Sequence, residues 1–233
     1  MWLEKLQCLK LSRIRIYGLD AATLVWCRDR GLDAVALEWQ GDLRELWVKR
    51  IAVFRALLAD GEEFIHSDAD AIWLRNPLQE GSARHLQEDL VFSQGTVWPP
   101  NVHERWGFVL CCGWFWARPT KVAQGFFRAL EGDVRTIGDD QISVNRLLAA
   151  AGATWQHAGR GDYHLQFQDR LVHCWSAPIR ATFPSAPLRV ALLPHAEFQR
   201  LPEATDHAVV KHYLTPKNCE QKLTTLRLLG VIP

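Results

Sequence analysis

The chain has 233 residues, 48% of them apolar and 23% charged. That suits one sizeable core, a single domain over 1–233, and leaves little room for a second. Lys and Arg number 27 against 26 Asp and Glu, for a net charge of +1. With no long basic run, this balance argues against a nucleic-acid partner. The longest apolar run, Gly107 to Ala117, covers about half of a bilayer span. The segment from Met1 to Lys5 lacks the charged and apolar regions of a secretory signal.

In chain order, residues 2–10 read as a short amphipathic helix, and Arg13 to Tyr17 alternates as a strand. Gly18-Leu19-Asp20 opens a helix that ends near Gly31, and Val35 to Leu37 forms a short strand. Asp42 and Glu45 make a capping box for a long helix that stops at Gly61. Trp47, Ile51, Phe54 and Leu58 share one face of it and predict packing on a sheet. A buried strand at 63–67 follows. Asp89 to Gln94 reads as a strand, 98–105 as an irregular loop, and Gly107 to Ala117 as β structure interrupted at Gly113. Helices are expected at 120–131, ending at Gly132, and at 140–151. Short strands occupy 153–200, and Val209 to Tyr213 is the last strand. Thr215 as N-cap, Pro216 at the first helical position and Gly230 beyond the end frame a final helix. The pattern implies an α/β fold, a mixed sheet with helices on both faces.

The six cysteines form no C-x-x-C pair, and Cys111 and Cys112 are adjacent. This spacing suits buried free thiols better than a zinc cage or a disulfide framework. Most of the eleven tryptophans are expected in the core. Flat indole faces also pack on sugar rings, which makes Trp98, Trp106 and Trp114 candidates for substrate contact.

The chemistry centres on Glu63-Phe64-Ile65-His66-Ser67-Asp68-Ala69-Asp70, a buried strand running into two carboxylates one residue apart. Open α/β sheets place ligands at such strand ends, and paired carboxylates there suit a divalent cation. The triplet alone is weak: with 14 Asp in the chain, chance supplies on the order of 0.8 Asp-x-Asp triplets.

Its surroundings add the missing specificity. Leu58-Ala59-Asp60-Gly61 precedes it, and Trp73-Leu74 and Pro77 follow. Downstream stand Cys112-Gly113-Trp114-Phe115-Trp116-Ala117-Arg118-Pro119-Thr120, Asp140-Gln141-Ile142-Ser143-Val144-Asn145, and Val210-Lys211-His212 with Lys217 and Lys222. In order and spacing these segments resemble the nucleotide-diphospho-sugar transferase family, over roughly 13–230. Its retaining members include plant α-xylosyltransferases and arabinosyltransferases.

The resemblance implies the GT-A fold and transfer of a sugar from a nucleotide-diphosphate donor to a carbohydrate or glycoprotein acceptor. It implies Mn²⁺ or Mg²⁺ held by Asp68, Asp70 and His212. Asp68, Gly113 and Lys217 would contact the donor, and Asp140 and Gln141 would act at the donor sugar. Two basic residues, Lys49 and Arg50, are candidates for a further donor contact. Counting back from the Asp-x-Asp favours Arg50, as does its place on the flank of the apolar stripe, with Lys49 nearly opposite.

Two departures stand out. The family's usual first strand, ahead of the helix at 2–10, is missing. Cys111-Cys112-Gly113 stands where many relatives carry an Asn shortly before the Gly, and a thiol lacks an amide's paired donor and acceptor. The alternative function is therefore an inactive nucleotide- or carbohydrate-binding remnant of the same fold. A haloacid-dehalogenase-like phosphatase fits less well, because that class carries its Asp-x-Asp on the first strand. The family's eukaryotic members work mostly in the Golgi lumen behind an anchor, and this sequence shows neither anchor nor signal.

Overall fold

The computed structural model describes residues 2–11, 13–156, 161–203, 207–215 and 219–231. Helix α1 (Trp2–Cys8) leads into strand β1 (Arg15–Gly18), helix α2 (Ala21–Arg28) and strand β2 (Asp33–Ala36). The long helix α3 (Leu43–Ala59) then feeds β3 (Phe64–Ser67) and β4 (Ala71–Trp73), and β5 (Leu90–Gln94) follows. Next come α4 (Pro100–Trp106), β6 (Leu110–Ala117), α5 (Lys121–Ile137) and α6 (Asp140–Ala150). The remainder is β7 (Thr154–Trp155), β8 (Tyr163–Phe167), β9 (Arg170–Cys174), β10 (Ile179–Thr182), β11 (Val190–Leu192), β12 (Phe198–Gln199), β13 (Val210–His212) and α7 (Cys219–Leu228).

Local chemistry sets many of these boundaries. Carboxylates of Asp20, Asp42 and Asp139 and the Thr120 hydroxyl accept first-turn N–H groups of α2, α3, α6 and α5. Two expectations shift. Residues 100–106 are helical, not an irregular loop: Pro100 sits in the first turn, where its missing N–H costs nothing, and left-handed Gly107 closes the helix. Helix α5 runs through Gly132 to Ile137, because Phe127, Leu130 and Val134 bury one continuous face. Strand β6 is one strand through Gly113, but its pairing with β5 is interrupted there as expected: Phe92 stands opposite Phe115 and Ser93 opposite Cys111, so Cys112, Gly113 and Trp114 fall out of register.

The central sheet has six strands in the order β3-β6-β5-β11-β10-β7, with β5 and β11 parallel and the other pairs antiparallel. Alternation divides its side chains between two cores. Leu90, Phe92, Phe115, Val190 and Leu192 face one way, onto Ile51, Phe54 and Leu58 of α3 and the apolar stripes of α5 and α6. Val91, Trp114 and Ala191 face the other way, onto Leu6 of α1 and a small sheet ordered β12-β13-β4. Both faces are covered, one by helices and the other by a helix and a sheet.

Strands β1 and β2 form a separate parallel pair instead of extending the central sheet. Arg13 and Arg15 reach Glu62, just before β3, at 3.8 and 3.9 Å. No helix among the described residues is long and apolar enough to cross a membrane.

Candidate metal and donor site

The Asp68–Asp70 turn is held from both sides. Asp68 N–H donates to Gly113 O of β6 at 2.8 Å, and Tyr213 N–H, just past β13, donates to Asp70 O at 3.0 Å. Trp73 Nε1 donates to Ser67 Oγ at 3.0 Å. That bond ties the strand before the turn to the strand after it, which explains the Ser and Trp on either side of the carboxylates.

Strand β13 runs antiparallel to β4 and brings His212 opposite Ala71. One ligand atom each from Asp68, Asp70 and His212 lies within 4.8 Å of the others. His212 Nε2 is 3.4 Å from Asp70 Oδ1 and 3.9 Å from Asp68 Oδ2. Two ligands each about 2.1 Å from one ion are at most about 4.2 Å apart, so both separations fit.

The second oxygen of each carboxylate is already engaged. Asp68 Oδ1 accepts from Arg50 Nη1 at 3.1 Å and lies 3.1 Å from His66 Nε2. Asp70 Oδ2 accepts from the Thr215 hydroxyl and pairs with Lys222 Nζ at 2.8 Å. Asp70 Oδ1 is buried with no well-aligned hydrogen bond, and its near neighbour is His212 Nε2 at 3.4 Å. A buried carboxylate oxygen this weakly hydrogen-bonded is costly, and a cation lying between it and the imidazole would satisfy both. The residues present therefore fit a divalent metal.

The electrostatics agree. Burial works against the charge on both carboxylates, yet both are held well below the usual range. His66 and Arg50 do this for Asp68, and His212 and Lys222 for Asp70. Burial and Arg200 push the His212 imidazole down, but Cys111 and Asp70 outweigh them and raise it to about 9. Burial lowers His66, with Arg50 adding to the effect.

Gly113 makes room for this arrangement. A Cβ there would meet His212 Cε1 at 2.0 Å and Asp68 Oδ2 at 2.8 Å. The missing side chain lets His212 and Asp68 approach each other over the strand. Cys111, two residues earlier, places Sγ 3.5 Å from His212 Nδ1 and accepts Gly113 N–H at 3.4 Å. The adjacent thiols thus have different neighbours, Cys111 the imidazole and Cys112 the apolar core.

Arg50 and Lys49 separate as the helical wheel suggests. The Arg50 guanidinium bridges Asp68 and Asp140 and lies 4.3 Å from the centroid of the Trp47 ring. These carboxylates outweigh burial and keep it firmly protonated. Lys49 is not brought to the site: it pairs with Glu45 at 2.9 Å and with Glu38 O.

Asp139 caps α6, which leaves Asp140 free for Arg50. Burial favours the neutral Asp140 carboxyl, against the pull of Arg50. Gln141 Nε2 donates to Trp98 O at 2.9 Å. Asn145 explains the spacing after Gln141, because it exchanges hydrogen bonds with Leu110 N and O at 2.8 and 2.9 Å. That buried amide locks α6 to the start of β6. Lys217 and Pro216 lie outside the described residues.

The site has parts the sequence reading did not assign: Thr215 as a partner of Asp70, Lys222 on the same oxygen, His66 on Asp68, and Cys111 behind His212. Thr215 was expected to cap the last helix. Cys111 had one usable signal, its closeness to Gly113. Two recesses, about 350 Å³ beside His103 and His173 and about 480 Å³ beside Leu24 and Arg28, contain none of the site residues.

A search of curated proteins returned no match to this chain. The model of the nucleotide-diphospho-sugar transferase family matches residues 9–226, a span that includes the carboxylate turn, Arg50, Asp140, His212 and Lys222. With nearly its whole length matched and a cation-ready cluster of two carboxylates and an imidazole at the sheet's edge, the chain belongs to the nucleotide-diphospho-sugar transferase family.

Proposed function

We propose that this chain is a metal-dependent glycosyltransferase of the GT-A type, working as one domain. It would move a hexose or pentose from a nucleotide-diphosphate donor to a carbohydrate or glycoprotein hydroxyl, with retention of configuration. The observation that carries this reading is the convergence of Asp68, Asp70 and His212, with Asp70 Oδ1 buried and lacking a well-aligned hydrogen bond. A Mn²⁺ or Mg²⁺ ion bound there would offset the charge of the donor's pyrophosphate and of the departing diphosphate. The imidazole favours Mn²⁺.

The chain's own residues supply the rest. Arg50, kept charged by Asp68 and Asp140, adds fixed positive potential at the edge where the phosphates would lie. Asp140 holds that guanidinium in place, a positioning role instead of a nucleophilic one. Gln141 offers its amide to donor-sugar hydroxyls, and the family resemblance would give Lys217 a place near the β-phosphate. In a same-face attack the acceptor oxygen bonds to the anomeric carbon while the bond from that carbon to the phosphate oxygen breaks. The acceptor's proton passes to the departing diphosphate.

The test is a donor screen. Thermal melting with Mn²⁺ and a panel of nucleoside diphosphates is followed by an assay of sugar release and transfer, with Asp70→Asn as control. The reading predicts a metal-dependent shift with one nucleotide, turnover of its sugar conjugate, and loss of both in the variant. No shift with any nucleotide overturns it. A shift without turnover of any donor supports a binding remnant instead.

A further inference from the structure

Of the eleven tryptophans, Trp73, Trp106, Trp114, Trp155 and Trp175 are each no more than 5% exposed and fill the cores. Two are exposed, Trp26 at 44% and Trp98 at 57%. Trp26 has its ring face taken by Arg30, whose guanidinium carbon is 4.1 Å from the centroid. Trp98 stands elsewhere, and its position gives it meaning.

Strands β3 and β5 both run antiparallel to β6, so they are parallel to each other. The segments that follow them leave the sheet at the same edge. Asp68 and Asp70 occupy the first and Trp98 the second. Open α/β sheets bind ligands outside that edge.

The backbone beneath the indole is anchored. Gly95 N–H donates to Val109 O at 2.8 Å, Val97 is buried, and Pro99 O accepts from His103 N–H at 3.1 Å. Gln141 Nε2 donates to the carbonyl of Trp98 itself at 2.9 Å. Hydrogen bonds and chain thus run from Trp98 through Gln141 to Asp140, Arg50 and Asp68. An apolar plane on a fixed base, left in water at a ligand edge, suits the C–H face of a pyranose.

We propose that Trp98 is the stacking platform for the acceptor, a pyranose-containing glycan whose ring packs on the indole while its hydroxyl faces the metal site. The acceptor is favoured over the donor because the contacts from the platform reach Arg50, where the donor phosphates would lie, only by way of Gln141 and Asp140. The inference rests on the sugar-transfer reading above.

The test uses the whole chain with Mn²⁺ and the nucleoside diphosphate that gives the largest melting shift. Saturation-transfer NMR is recorded with methyl β-D-glucopyranoside, methyl β-D-galactopyranoside and cellohexaose, on wild type, Trp98→Ala and Trp98→Phe. The proposal expects ring-proton saturation in wild type, affinity about 3- to 10-fold weaker in Trp98→Ala, and most of it kept in Trp98→Phe. The nucleotide shift should be equal in all three, which also shows that the variants fold. The platform is overturned if wild type binds none of the saccharides, or if Trp98→Ala binds them equally well. Loss of the nucleotide shift in Trp98→Ala alone would also overturn it, by assigning the indole to the donor's base. If no nucleotide shifts any of the three while saccharide binding still depends on Trp98, the donor reading fails and the platform stands.

Discussion

Replacing Gly113 by Ala adds one carbon at the most crowded point of the site. The new Cβ would stand 2.0 Å from His212 Cε1 and 2.8 Å from Asp68 Oδ2, so ring and carboxylate must both retreat. His212 cannot swing freely, because it is buried and Cys111 Sγ lies 3.5 Å from its Nδ1. The backbone at Gly113 is strand, which Ala tolerates, and the cost is therefore crowding rather than strain. Overpacking of this kind costs about 1–3 kcal/mol, or roughly 2–12 °C of melting temperature for a chain of this size.

The effect on metal should exceed the effect on the fold, since the displaced atoms belong to two of the three proposed ligands. Melting curves with and without Mn²⁺ separate the two costs. Wild type should gain stability from Mn²⁺, and Gly113→Ala should gain almost none. Gly125 and Gly132 of α5 provide the contrast, because a Cβ at either meets nothing within 4 Å. There the same substitution should stabilise by about 1 kcal/mol through helix propensity. A Gly113→Ala protein that melts like wild type and responds fully to Mn²⁺ would refute this packing argument.

Other outcomes follow from the same geometry. His212, raised to about 9, carries a proton at neutral pH without metal. Mn²⁺ binding should expel close to one proton and weaken as pH falls, which calorimetry in buffers of different ionisation enthalpy reads directly. Arg50→Met leaves Asp140 and Asp68 without their counter-charge and should cost about 3–5 kcal/mol in urea unfolding. Lys49→Met, on the neighbouring surface, should change stability by less than about 0.5 kcal/mol. Asp89 and Glu203 are both held below their ordinary pKa despite burial, by Arg189 and by His195 respectively. Their contribution is complete above the ordinary carboxylate range and lost as pH falls through their folded values, so Asp89→Asn should flatten the acid limb of a stability–pH curve.

The parts of the site carried by local pattern were legible in the residues. The stripe Ile51, Phe54, Leu58 oriented α3 and so separated Arg50 from Lys49. A short strand running into Asp-x-Asp set the turn, and an Asp cap set the start of α6. What escaped was set by neighbours distant in the chain. Cys111 and His212 are 101 residues apart, and only the placement of β13 beside β4 brings them together. The tie of Thr215 to Asp70 escaped because the two lie 145 residues apart. Gly132 looked like a stop, but its cost of about 1 kcal/mol is small against the buried face of α5. Pro99-Pro100 looked like a loop, although proline is also at home in a helix's first turn.

The central claim is that Asp68, Asp70 and His212 together hold a divalent cation. Titration of Mn²⁺ followed by loss of the free aqueous ion's paramagnetic resonance signal, with a nucleoside diphosphate present, tests it most directly. One bound ion per chain is predicted for wild type, with at least tenfold weaker binding in both Asp70→Asn and His212→Ala. Equal binding in wild type and the two variants, or no binding at all, would contradict it.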